Sequence, residues 1–274
     1  MVASDKLFAG SIPEIYDRFL VPLIFEAYAD NLAQRVVELQ PNDVLETAAG
    51  TGVLTRAMAA RLPTSTRIVA TDLNQPMLDH AARRGPDHAR ARRQQADALE
   101  LPFPAASFDA VACQFGVMFF PDKVRGYSEA HRVLRPGGTF LFNVWDRISE
   151  NDFANVVTEA LARCFPHDPP SFMRRTPHGY FDLEVIQREL KAANLASISV
   201  DTVAATSRAN SARDAAIAYC QGTPLRNEIE ARDASRLHEA THAAAEALAQ
   251  RFGNGGIEGR VRAHVITAAR PREG

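Results

Sequence analysis

Cysteine and lysine are scarce in this 274-residue chain, and each scarcity removes a class of protein. The three cysteines, Cys113, Cys164 and Cys220, stand far apart and form no CxxC pair. That excludes a disulfide framework and a zinc finger, and it fits a reducing, cytoplasmic setting. Lysine occurs only at positions 6, 123 and 191, so 28 of the 31 basic residues are arginine. With the abundance of alanine, this reads as the imprint of GC-rich coding rather than of chemistry. A charge excess is missing as well: the formal net charge is -2, which gives no broad field for a polyanion, and nucleic acid is not an expected partner. No run reaches the roughly 18 apolar residues of a membrane span. Asp5, Glu14 and Asp17 fall where a signal peptide needs an apolar core. What is present is ordinary for a globular protein, with 46% hydrophobic and 23% charged residues and ample length for a self-sufficient core.

From Asp43 onward, short β-rich runs alternate with helical stretches, the pattern of a parallel sheet covered on both faces. VLETAAG, RIVATD, RRQQAD and FDAVACQF read as four strands, the last three ending at Asp72, Asp97 and near Phe115. A helix is expected from about Lys123 to Leu134, and the Pro136-Gly137-Gly138 turn should then launch a fifth strand, GTFLFNVWD. Past Trp145 come a helix around FANVVTEALARCF, a proline-rich lid, a further helix and strand, two helices broken at Gly222 to Pro224, and a last strand, GRVRAHVITAAR. The expected fold is α/β: a doubly wound, mostly parallel seven-stranded sheet with N-terminal helices and helical cap insertions. One domain spans 1–274, with a helical cover at 1–40, a ligand-binding core at 41–146, and caps at 147–179 and 207–258.

Ligands of such a sheet bind where strand ends meet helix N-termini. ETAAGTG, Glu46 to Gly52, places small residues in the first βα turn, where a ligand can approach the backbone. Asp72, twenty residues after Gly52, stands where a carboxylate accepts both hydroxyls of a ribose; a helix N-cap is the plainer use of the same residue. Asp97, with Ala98, ends the third strand and suits an adenine amino group, or simply forms a turn.

Taken together, ETAAGTG, ATDLNQPML, QADALELPFPAASFDAVACQFGVMFFPD and RVLRPGGTFLF resemble the class I S-adenosylmethionine-dependent methyltransferases, in the broad type 11 group that includes ubiquinone/menaquinone-biosynthesis methyltransferases. The resemblance covers roughly residues 40–146. It implies a Rossmann-like fold and S-adenosyl-L-methionine as cofactor. Glu46, Ala48, Gly50, Thr51 and Gly52 would border its methionine part, Asp72 its ribose, Leu73 and Met77 its adenine faces, and Asp97 and Ala98 the adenine edge. Gln114 and Phe115 would line the fourth strand end, and Tyr16 would reach the cofactor from an N-terminal helix. Ala48 departs from the family, whose turn carries glycine there.

Transfer of a methyl group needs an acceptor held in line and water kept out. FGVMFFPD offers an apolar wall after the fourth strand and no Asn-Pro-Pro-Tyr-like run, which points to a small, largely apolar acceptor. His178 and Tyr180, in the lid, are the candidates for a general base or acceptor contact; Phe153, Phe172, Met173 and Tyr219 supply apolar surface, with Arg174 and Arg175 beside them for a polar or anionic tail. No metal is expected: HEATH, His238 to His242, matches a zinc-protease pattern but lacks an evident third ligand. Arg83, Arg84, Arg90, Arg92 and Arg93 read as a solvated helix end. Two competing functions stay open, a non-catalytic cofactor-binding module and a nicotinamide oxidoreductase, although the latter's third fingerprint glycine is Thr55 here. A homodimer is one open oligomeric arrangement.

Overall fold

The structure is a computed structural model that describes residues 5, 8, 10–84 and 90–272. Seven strands, β1 (Asp43–Glu46), β2 (Arg67–Asp72), β3 (Ala91–Gln95), β4 (Phe108–Gln114), β5 (Leu134–Trp145), β6 (Ala196–Ala209) and β7 (Ile257–Ala269), form one sheet in the order β3-β2-β1-β4-β5-β7-β6. The pairs among β3, β2, β1, β4 and β5 are all parallel. β7 runs antiparallel to β6, because Ser199 meets Thr267, Thr202 meets His264 and Arg208 meets Glu258 in descending order. This is the doubly wound sheet that the alternation of elements predicts.

The chain divides into two compact units. The sheet unit comprises Ala27–Val144, Phe181–Val203 and His264–Gly274. Its helices are the greater part of α2 (Glu26–Glu38), with α3 (Val53–Arg61), α4 (Gln75–Ala82), α5 (Lys123–Val133) and α8 (Leu183–Ala192). Leu32, Val36, Leu54 and Met58 from α2 and α3 pack on Val44, Ile68, Ala110 and Leu141, the apolar residues that the strands turn towards one face. On another part of the sheet Phe140 and Phe142 stack at 4.9 Å, and Tyr127 of α5 lies against both. At the amino ends of the strands the charges are paired: Arg135 bridges Asp43 at 2.7 Å and Asp109 at 2.5 Å.

The helical unit comprises Met1–Glu26, Trp145–Tyr180 and Ala204–Ala263. It contains α1 (Ile12–Ile15), a π-helical segment (Tyr16–Phe25), α6 (Asp152–Cys164), α7 (Phe172–Arg175), α9 (Ala212–Gln221), α10 (Leu225–Asp233) and α11 (Leu237–Phe252). α6, α9 and α11 pack together, and their residues Val157, Ala160, Ala216, Tyr219, Ala244 and Leu248 are buried. Among the described residues no helix is long and apolar enough to cross a membrane.

Several boundaries differ from the sequence reading: β1 ends at Glu46 rather than running through the glycine turn, and the second of the two helices expected between 211 and 252 is split into α10 and α11. β5 starts at Leu134, ahead of the Pro136-Gly137-Gly138 turn, and its register on β4 jumps from Phe108↔Leu134 to Ala110↔Thr139. The turn is therefore a bulge within the strand, with Gly137 at φ 82° supplying the left-handed residue that a bulge needs. β3 stops at Gln95, two residues before Asp97. The lid is part helix, since α7 interrupts the proline-rich run.

Candidate functional site

The first βα turn is strung between the strands on either side of β1. Thr47 donates its N–H to Ala112 O at 2.9 Å on the β4 side, and Ala49 donates to Thr71 O at 2.9 Å on the β2 side. Ala48, Gly50 and Gly52 all take positive φ, at 53°, 56° and 81°. The sequence departure at Ala48 thus falls on a left-handed residue, which costs an alanine about 1 kcal/mol that a glycine avoids. The nine-residue α3 starts directly after Gly52 without a side-chain cap. Beside it Thr51 is buried, and its hydroxyl has no hydrogen-bond partner among the described residues. An uncapped helix N-terminus next to an unsatisfied hydroxyl is suited to a carboxylate or similar anionic group.

Asp72, at the end of β2, is buried and faces this turn. Its Oδ2 accepts from Gly50 N at 2.8 Å and its Oδ1 from Asn74 N at 2.7 Å. Burial pushes its carboxyl upward, with the Asn74 and Gly50 amides opposing that shift. The N-cap of α4 is Asn74, so the plain capping alternative for Asp72 does not describe the geometry. Oδ1 also receives Asn74 Nδ2 at 3.4 Å, whereas Oδ2 accepts from Gly50 N alone and keeps a further acceptor direction for a hydroxyl. Met77 packs next to Gly50, where an added Cβ would meet its Cε at 3.5 Å, while Leu73 is 41% exposed, unusual for a large apolar residue. Asp97 does form a turn: its Oδ1 accepts from Leu99 N at 2.9 Å, and Ala98 lies within that turn.

Glu46 is the second buried carboxyl. Burial pushes it up to about 8, against the lowering effect of the Thr55 hydroxyl that donates to its Oε2 at 2.5 Å. Thr55 is therefore a partner of Glu46 rather than only the place of a missing glycine. At the end of β4, Gln114 is buried and Phe115 is left-handed at φ 49°, with its N–H held by Asn143 Oδ1 at 2.8 Å. That bond fixes the orientation of the Asn143 amide, whose Nδ2 has no partner among the described residues. Asn143 and Asn74 were not among the sequence candidates. The signal for Asn143 was a lone polar residue inside the apolar run FLFNVW; Asn74 offered none beyond its place after Asp72.

The structure thus brings Glu46, Ala48, Gly50, Thr51, Gly52, Asp72, Leu73, Met77, Asp97, Ala98, Gln114 and Phe115 to the carboxyl ends of β1–β4 in the sheet unit. Tyr16, His178 and Tyr180 belong to the helical unit. There Tyr16 lies on the π-helical segment, 5.1 Å from the Phe25 ring, and Phe25 continues to Trp145 at 5.7 Å and Trp145 to His178 at 6.1 Å. His178 is buried, its Nδ1 is 2.9 Å from Asp146 O, and burial lowers its pKa to about 4. Nδ1 donates in this contact, so the neutral ring carries its free lone pair on Nε2.

Phe153, Phe172, Met173 and Tyr219 are at most 5% exposed and serve as core of the helical unit. Arg175 is held by Asp5 and Glu228, both at 2.6 Å, which leaves Arg174 as the lid arginine open to an anionic group; it lines a surface cavity with Arg163. Of the arginine cluster, Arg90 binds the carbonyls at the end of α3, Ala59, Leu62 and Pro63. The histidines of HEATH lie on α11 with Glu239 paired to Arg236 at 2.7 Å, and no metal-binding cluster occurs among the described residues.

A methyltransferase domain model matches residues 44–138. The demethylmenaquinone methyltransferase of Deinococcus radiodurans is 36% identical over 139 residues, which is 50% of this chain and 57% of that one. The chain spans about half the length of the curated relatives it matches. Among solved structures, the YcgJ protein of Bacillus subtilis aligns with a TM-score of 0.56 at 21% identity, over 90% of this chain and 100% of that one. The 4+2 cyclase SpnF aligns with a TM-score of 0.57 at 19% identity, over 90% and 82%. Both share the fold.

Proposed function

We propose that the chain is a class I S-adenosylmethionine-dependent methyltransferase similar to the ubiquinone/menaquinone-biosynthesis enzymes, and that it transfers a methyl group from S-adenosylmethionine to a small, largely apolar acceptor with a quinone-type ring. The observation that carries this reading is the joint placement of a turn with an uncapped helix and an unsatisfied Thr51 hydroxyl, and of Asp72 bonded to that turn. These features fit the donor's carboxylate and ribose, and Leu73 and Met77 fit its adenine. The bound donor supplies an electrophilic methyl group. Thr51 and the α3 N-terminus hold the carboxylate end, Asp72 accepts from the ribose hydroxyls, and the Gln114-Phe115 segment, fixed by Asn143, shapes the β4 end.

The acceptor ring is assigned to the aromatic series of the helical unit, with Tyr180 as a polar contact. His178 is the candidate base. A ring nitrogen with a pKa near 4 removes a proton poorly before bond formation, but it suffices for a proton that a newly methylated ring sheds readily. The relatives' names, demethylmenaquinone and ubiquinone/menaquinone methyltransferases, support an acceptor of that type.

Calorimetry with S-adenosylmethionine and with NAD tests the cofactor; binding of the first in the micromolar range and no heat with the second is expected. A turnover screen of reduced quinones, phenols and amines then tests the acceptor. Donor binding without turnover of any ring acceptor would favour a non-catalytic or differently acting protein, as the shared fold of a cyclase allows. Tyr180→Phe is expected to change acceptor KM or kcat while leaving donor affinity within about 0.5 kcal/mol, because Tyr180 is assigned to the acceptor alone. Loss of donor binding in the folded variant would move Tyr180 into the cofactor site.

A further inference from the structure

Two buried carboxyls stand at the cofactor end of the sheet, and only one of them is tied by backbone amides. Glu46 ends β1 between β2 and β4 and is 1% exposed. Its side chain receives one described hydrogen bond, from the neutral Thr55 hydroxyl, and no ion pair among the described residues. A carboxylate in that position lacks the pairing that buried charges normally require. The charged and titratable groups around it do not change this. Arg56 of α3 spends a guanidinium nitrogen on Thr51 O at 2.7 Å, and Arg93 of β3 acts on Glu46 only through space. Asp72 of β2 adds charge of the same sign. Cys113 of β4 is a neutral thiol, pushed up to about 12 by burial.

Building on the methyl-donor reading, we propose that Glu46 sets the charge preference of the site. Its carboxyl keeps a proton in the free protein and releases it to solvent when the sulfonium-bearing donor binds, so the cationic donor is held more tightly than its neutral thioether product. No direct contact between Glu46 and the ligand is required. Within a low-dielectric site, a nearby cation favours the ionised carboxylate, and loss of the methyl group removes that cation. The proton balance is simple: one O–H bond of Glu46 is broken, the proton goes to buffer, and the negative charge stays opposite the incoming positive one. Donor binding thus tightens as pH rises to about 8, the point at which Glu46 ionises unaided. Donor and product share the α-ammonium, so product binding lacks only the part of this dependence that the sulfonium induces.

Isothermal calorimetry at pH 7 in phosphate and in Tris, which differ in ionisation enthalpy, counts the protons. About 0.9 proton should leave per donor bound at pH 7 and about 0.1 at pH 9, with clearly less release at pH 7 on binding of S-adenosylhomocysteine, and equal release with the two ligands would overturn the assignment to the sulfonium. Glu46→Gln should abolish the release and bring donor and product affinities closer together. The same burial makes a folding prediction. Glu46 is harder to ionise when folded than at its ordinary 4.5, so the folded state loses stability as pH rises from about 4.5 to about 8. Glu46→Gln should remove that part of the slope in the unfolding midpoint. Donor binding with no proton release overturns the Glu46 proposal and leaves the methyl-donor reading standing, as does undiminished release in Glu46→Gln. Absence of donor binding overturns both. Should the variant fail to fold, the proton count of the wild-type protein with donor and with product decides the proposal by itself.

Discussion

Asp72→Ala is expected to weaken S-adenosylmethionine by about 2 to 4 kcal/mol while the unfolding midpoint of the free protein stays within a few degrees of wild type. The two halves of that result have different causes. Affinity falls because a carboxylate accepting two hydroxyls makes charge-assisted bonds that a methyl group cannot replace, and because Gly50 N loses its acceptor, loosening the turn. Stability holds because Asp72 is costly to ionise where it sits: burial raises its carboxyl despite the amides of Gly50 and Asn74. A carboxyl raised in the folded state subtracts stability above its ordinary range, so its removal offsets the three lost hydrogen bonds, from Gly50 N, Asn74 N and Asn74 Nδ2. Asp72→Asn is no gentler, since whichever way its amide turns, an N–H group must face either Gly50 N or Asn74 N. Calorimetric affinity and thermal unfolding on the same samples check this. Matched losses of stability and affinity would make Asp72 a tether of the turn rather than a ligand group.

How far the sequence could be read follows from the range of the interactions involved. β2 and β4 end within a residue of their expected ends because the alternation of elements and the apolar run FDAVACQF are local signals. Asp72 was found because its position after a glycine turn is itself a local spacing. The helical character of Tyr16–Phe25 was legible from Phe19, Leu20, Leu23 and Ile24, but not its π geometry, because apolar spacing reports a buried face and not the hydrogen-bond step. Arg174 and Arg175 were indistinguishable as neighbours in the chain. Arg175 is sequestered by Asp5 and Glu228, residues 170 and 53 positions away, and no pattern around it announces them. Asn143 escaped for the same reason: its bond to Phe115 joins positions 28 apart.

Ala48 is the clearest case of a local departure with a distant cause, and it yields the last prediction. A Cβ added to Gly116 would stand 2.4 Å from Ala48 Cβ and 2.6 Å from Cys113 Sγ, distances at which something must move. Gly116 itself has φ -103°, so the cost of a side chain there is steric rather than conformational. The alanine of the first turn and the glycine after β4 therefore share one space, and only one of them can carry a methyl group. Gly116→Ala is expected to destabilise the protein by about 3 kcal/mol, at the upper end of overpacking, because both neighbours are in buried, bonded segments. Ala48→Gly should be neutral or stabilising by up to about 1 kcal/mol, since it relieves a left-handed alanine. Combining the two should recover about 1 to 2 kcal/mol beyond additivity, the Cys113 contact keeping the recovery incomplete. Urea unfolding of the four proteins in this cycle measures the coupling. Strict additivity would mean that a side chain at Gly116 is excluded by Cys113 alone and that Ala48 stands where the methyltransferases it resembles carry glycine for a reason unconnected with β4.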